Sequence, residues 1–199
     1  MGLTYSYATY LRPRRVARLL GQLAGLAPPE YGAQPTEIIL PGGERLVVPF
    51  RSQAAPGEPV DASDGSAFEL DTSLMFEPDE ALVEYARDYG PAAEPDGRVQ
   101  IGYVYASVRF SSHLHPGYAE VDCWAATSGM SRLFARSPSI RRTFTGIAAS
   151  SGGVCCLFDT GDGGPAQVCW MADEAIRGTV PDPWYPDRDA LVAGWPDPG

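Results

Sequence analysis

Three times along the chain an alternating apolar stretch runs into the opening of an amphipathic helix. This recurrence restricts the fold more than any other feature. In the first instance residues 3–11 alternate and are rich in Tyr and Thr, the pattern of a half-buried strand. Pro13 stands where a first-turn proline belongs, and Val16, Leu19, Leu20, Leu23 and Leu26 recur at helical spacing up to Pro28-Pro29. In the second, Phe68, Leu70, Thr72, Leu74 and Phe76 alternate with Glu69, Asp71, Ser73 and Met75. Pro78 follows, and Leu82, Tyr85, Ala86 and Tyr89 form a helical stripe that Gly90-Pro91 closes. The third begins at Tyr118 with a strand over 119–126. Met130, Leu133 and Phe134 then mark a helical segment, and Ser137-Pro138 opens another with Ile140, Phe144, Ile147 and Ala148 on its inner face.

Hairpins and single strands fill the intervals. Residues 37–40 and 46–50 flank Pro41-Gly42-Gly43-Glu44, residues 99–110 form one long strand, and 154–159 with 166–171 close a last hairpin. The order β-α-β-β, β-α-β, β-α-β-β predicts an α+β fold of repeated split β-α-β (ferredoxin-like) units. In such a fold a mostly antiparallel sheet carries its helices on one face. The polar segments 51–66 and 91–98 are expected to be loops. We expect one domain over 1–172, with sub-units 1–50, 67–110 and 118–172. The Pro/Trp/Asp-rich tail 173–199 is expected to pack on the surface.

Missing residue types exclude more chemistry than present ones support. The chain of 199 residues has no Lys and no Asn, so all 15 of its basic residues are Arg. That bias fits a GC-rich, bacterial coding sequence. It removes Schiff-base and P-loop lysines, Ser–Lys dyads and N-glycosylation sites. The two histidines, His113 and His115, share one turn, which confines any His-based triad to that spot. Their spacing matches no metal motif, so we expect a surface turn and no bound metal. No cofactor fingerprint occurs, and none is expected. Cys123, Cys155, Cys156 and Cys169 lie in apolar strands without C-x-x-C spacing and read as buried free thiols of a cytoplasmic protein. No apolar run reaches the roughly 20 residues a membrane span needs, and there is no signal-peptide pattern. The net charge of −10 argues against nucleic acid as a partner. The acidity is uneven, since residues 61–100 hold eleven carboxylates and two arginines.

Several clusters could bind a ligand or partner. Arg12, Arg14 and Arg15 crowd the start of the first helix, where the dipole is already positive, and so invite an anion or an acidic partner. Alternatively, Glu77, Asp79 and Glu80 at the start of the second helix neutralise them, if the two units pack side by side. Thr127-Ser128-Gly129 enters a helix with small residues that could cradle a phosphate, and Arg141 and Arg142 follow one helix later. Glu69/Asp71 and Glu120/Asp122 each put two carboxylates on one strand face. That is the pattern of acid–base pairs and equally of a solvated sheet face, which is the expectation here.

The expected function is that of a non-catalytic binding or interaction protein, an acidic partner or inhibitor of a basic protein in the manner of immunity proteins. Two alternatives stand beside it. One is a small-molecule site lined by Tyr5, Tyr7, Tyr103, Tyr105, Trp124 and Trp170. The other is an enzyme built on Cys/His or paired carboxylates.

Overall fold

Ser6–Leu11 (β1) ends at Arg12 and leads through a 3-10 turn, Pro13–Arg15, into Val16–Ala24 (α1). Thr36–Ile39 (β2), Arg45–Val48 (β3), Arg51–Ser52 (β4) and Val60–Asp61 (β5) follow as short strands. Phe68–Phe76 (β6), Glu80–Tyr89 (α2), Val99–Arg109 (β7) and Ala119–Ala125 (β8) make up the middle of the chain. Two helices, Ser128–Arg136 (α3) and Pro138–Ser151 (α4), lead to Gly153–Asp159 (β9) and Ala166–Met171 (β10). Trp184–Tyr185 (β11) and Arg188–Ala193 (α5) come last. The computed structural model describes residues 2–28, 34–55, 57–90, 96–161, 166–172, 184–185 and 188–197. The expected packing of 173–183 lies outside the described residues.

The architecture is α+β. Eight strands form one sheet in the order β11-β10-β9-β1-β8-β7-β6-β4, and every paired neighbour in it is antiparallel. A second sheet, β3-β2-β5, contains the parallel pair β2/β5. Segment 51–66, expected to be a loop, thus contributes one strand to each sheet.

The strand–helix units differ from a simple repeat. In the third unit β8 and β9 both run antiparallel to β1, which lies between them, so this unit is a split β-α-β. In the second, β6 and β7 pair directly, and α2 leaves and returns at the same end of the sheet. Local pairing there satisfies both backbones and leaves no slot for an inserted strand. In the first, β1 is separated from β4 by β8, β7 and β6.

Burial sorts the two faces. The inner face presents Tyr7 and Leu11 of β1, Val121 and Cys123 of β8, Val104, Ala106 and Val108 of β7, and Leu70 and Leu74 of β6. The apolar stripe of α1 (Val16, Leu19, Leu20, Leu23), Phe134 of α3 and Phe144 of α4 pack against it, as do Ile38 and Val48 of the small sheet. On the outer face a second, smaller core joins Ala8, Tyr10, Cys155, Leu157 and Val168 to Tyr118 and Leu191 of α5. Trp195 closes this core, its ring centroid 5.1 Å from those of both Tyr10 and Tyr118. Helices therefore lie on both faces, because α5 packs on the face that α1 to α4 leave bare. Among the described residues no helix is long and apolar enough to cross a membrane.

Candidate functional site

The residues singled out in the sequence are placed as follows. Arg12 is half-buried, and its Nη2 donates to the Asp197 carbonyl oxygen at 3.0 Å. Arg14 and Arg15 are exposed. Arg15 lies at the far end of α4, its Nε 3.8 Å from the point a β-carbon on Gly152 would occupy. Gly152 is the left-handed C-cap of α4 (φ 77°), so the negative end of that helix dipole meets the Arg15 guanidinium. Among the described residues the ion pairs are Arg45–Glu37, Arg98–Asp96, Arg109–Glu120 and Arg136–Glu84, and none joins the start of α1 to the start of α2.

Asp79 works as a double cap instead. Its Oδ1 accepts from Leu82 N at 2.9 Å, and its Oδ2 accepts from Ser137 Oγ at 2.7 Å and Ser139 N at 2.9 Å. Desolvation pulls its pKa up, but these hydrogen bonds and the nearby Arg142 charge outweigh that and hold it below the usual carboxylate range.

The Thr127-Ser128-Gly129 junction is used within the fold. Thr127 Oγ1 accepts from Met130 N at 3.2 Å as the N-cap of α3, and Ser128 Oγ accepts from Leu3 N at 3.0 Å. Gly129 lies under the Tyr89 ring. Ser128 touches the chain just before β1 and Arg12 follows β1, so the two clusters stand at opposite ends of that strand. Arg141 is half-buried and Arg142 exposed, both near the start of α4, a helix length away from Arg15.

The other candidates also separate. His113 is exposed, while His115 Nδ1 accepts from Gly117 N at 3.0 Å and its ring edge meets Tyr118. Among the described residues no three His, Cys, Asp or Glu side chains group as metal ligands would. Cys156 belongs to the inner core with Cys169, whereas Cys155 faces the outer core. Burial pushes the Cys123, Cys155 and Cys156 thiols well above their usual range, the opposite of nucleophile activation. The six aromatic candidates divide between the faces. Tyr7 is buried in the inner core, with Tyr5 and Trp170 packed against it, while Tyr103, Tyr105 and Trp124 occupy the outer face.

That outer face holds the densest polar arrangement. Cross-strand register sets Arg51, Asp71, Tyr105, Trp124, Ser6 and Asp159 in one row across six strands. The adjacent row runs Glu69, Ser107, Asp122, Ala8, and the next begins Arg109, Glu120, Tyr10. The rings of Tyr105 and Trp124 are 4.3 Å apart with planes tilted by 31°. Beside them Thr4, Ser6, Asp122, Trp124, Asp159 and Gly161 line an open cleft of about 370 Å3. Gly161 forms its lip at φ 69°, where a β-carbon would sit 2.6 Å from the Thr4 carbonyl oxygen. Only glycine allows that approach.

The two carboxylates of β8 each keep one oxygen from water. Glu120 is 6% exposed. Its Oε1 accepts from Arg109 Nη1 at 3.1 Å, but Oε2 has no hydrogen-bond partner. Asp122 Oδ1 is likewise shut off from water without a partner. Burial pushes the Asp122 carboxyl up to about 6. A Ser6 hydrogen bond and the Arg109 charge oppose the rise, and the charges of Glu120 and Asp159 add to it. The expectation that Glu120/Asp122 form a solvated face is therefore corrected for Glu120, which is buried; Asp122 is half-buried like Asp71, and Glu69 is exposed. The alternation around Ser6, Trp124 and Tyr105 is visible in the sequence, but their shared row depends on the pairing of Ser6 with Trp124, which are more than a hundred residues apart.

Comparison with protein-family models, with curated proteins and with solved structures finds no match to this chain.

Proposed function

We propose that the protein is a non-catalytic binding protein of the bacterial cytoplasm whose outer sheet face engages a positively charged partner, most simply a basic protein. The observation that carries this reading is the row Asp71–Tyr105–Trp124–Ser6–Asp159 with Glu69, Asp122 and Glu120 beside it. Five carboxylates lie around the tilted Tyr105–Trp124 pair, with Arg51 paired in register to Asp71 and Arg109 bonded to Glu120. Acidic groups steer a basic partner and set its register, and aromatic residues supply the buried contact area that holds it. The four cysteines, all buried as free thiols, fit a reducing compartment.

The test uses a basic protein encoded beside this chain in its genome, purified and titrated against it in low and high salt. The expected result is a complex that weakens as salt rises and weakens further when Glu69 and Asp71 are changed to Arg. Absence of a complex, or one indifferent to both changes, contradicts the reading. A small-molecule role is the second reading, and the cleft at Asp122 is the observation favouring it. It predicts saturable binding of a small cation with no protein complex.

A further inference from the structure

We propose that residues 188–197 form a releasable strap. Closed, it covers the apolar end of the outer sheet face; open, it adds Tyr10 and Tyr118 to the surface that meets the partner. The inference rests on the binding reading above and supplies its regulation.

Placement is the first argument. Leu191 of α5 joins the outer core of Ala8, Tyr10, Leu157 and Val168, and Trp195 packs against it. Register sets Tyr10 opposite Glu120, so the covered patch is continuous with the carboxylates of the proposed binding face. The hold on the strap is the second. Arg12 Nη2 donates to the Asp197 carbonyl oxygen at 3.0 Å, and the Tyr118 hydroxyl donates to the Pro196 carbonyl oxygen. Two side chains thus grip consecutive main-chain carbonyls, while the Trp195 ring lies 5.1 Å from both Tyr10 and Tyr118.

The third argument is that this hold is weaker than the sheet beneath it. Among the described side chains of residues 189–197 Leu191 alone is buried, whereas all six residues of β1 are. A segment that buries so little apolar surface opens at a lower free energy than the core strands do. α5 has six residues, too few to keep a helical form without packing. Trp195 Nε1 is shut off from water without a hydrogen-bond partner, a penalty that opening removes. The closed strap meanwhile keeps Tyr118 at 0% exposure. Its release uncovers tyrosine rings beside acidic groups, the kind of contact area that anchors an interface.

Amide hydrogen exchange of the intact chain, read by mass spectrometry at increasing sub-denaturing urea, tests this. Residues 188–197 should exchange at least about 100-fold faster than 6–11 and 119–125, through an opening that responds weakly to urea. Leu70→Val, in the inner core, should speed exchange of 6–11 and 119–125 about fivefold and leave 188–197 unchanged. Arg12→Gln should speed exchange of 188–197 about fivefold, the worth of one hydrogen bond. In the complex with the basic protein, exchange of 188–197 should rise. One shared protection and urea dependence for strap and sheet, or a strap that follows Leu70→Val, overturns the proposal. An Arg12→Gln strap that exchanges as before overturns the latch, and a strap unchanged or slowed in the complex overturns its regulatory role. The free-chain measurement contains no partner. Its failure beside an intact complex overturns the strap alone, and its success without any complex overturns the protein-partner reading alone.

Discussion

A carboxylate packed among neighbouring side chains on a sheet face loses much of its hydration, and Asp122 shows the energetic result. Its pKa is raised from 3.8 to about 6. The folded state therefore holds the proton more tightly than the unfolded chain. The stability this confers is complete below pH 3.8 and is lost as pH rises to about 6. Asp122→Asn should thus leave stability unchanged at pH 3.5 and raise it at pH 7.5 by up to about 3 kcal/mol. Urea unfolding at the two pH values checks this, and an equal effect at both would contradict it. The residue could not be read from the sequence in this role. Glu69/Asp71 and Glu120/Asp122 have the same i, i+2 spacing on alternating strands, and only the packing that the fold places around them separates exposed Glu69 from buried Glu120.

At the scale of elements, local chemistry decides most boundaries. Ser137 and Pro138 open α4, Thr127 opens α3 and Gly90 closes α2, as their residue types require. These were legible because caps and periodic stripes are local signals. Strands of two residues, such as β4 and β5, have no period to detect. The role of Asp79 was also hidden: its place before α2 announces a cap, but its second duty at the start of α4 depends on how the helices meet. Asp79→Ala should destabilise the protein by about 2 kcal/mol, since it uncaps one helix and weakens the start of another. Asp79→Asn should recover part of that, because the amide oxygen can still accept one bond. Thermal unfolding at neutral pH measures both. The Asp79 contribution to stability should also fall away in acid as its depressed pKa is crossed, the reverse of the Asp122 trend.

For the whole molecule, the order of strands matters more than their number. Residues 188–197 lie on the outer face, where Trp195 meets Tyr10, Tyr118 and His115 and covers a core that helices α1 to α4 cannot reach. Trp195→Ala should lower stability by about 2 kcal/mol, less than for a fully buried aromatic, and a lower melting temperature reports it. The sequence showed an aromatic tail but not its destination, since nothing local says which face of a sheet is left open.

The central position of β1 has a consequence for biosynthesis. Ser6–Leu11 leaves the ribosome well before its partners, Ala119–Ala125 on one side and Gly153–Asp159 on the other. Until residues 119–125 have emerged neither edge of this apolar strand is covered, and its second edge waits for residues 153–159. Such late, long-range closure slows folding and exposes nascent chains to aggregation. A fragment of residues 1–115 should show no cooperative unfolding and should bind chaperones, and adding a separate 116–199 fragment should restore a folded complex with β1 at its centre. If 1–115 melts cooperatively alone, the sheet is assembled in a different order from the one its topology implies.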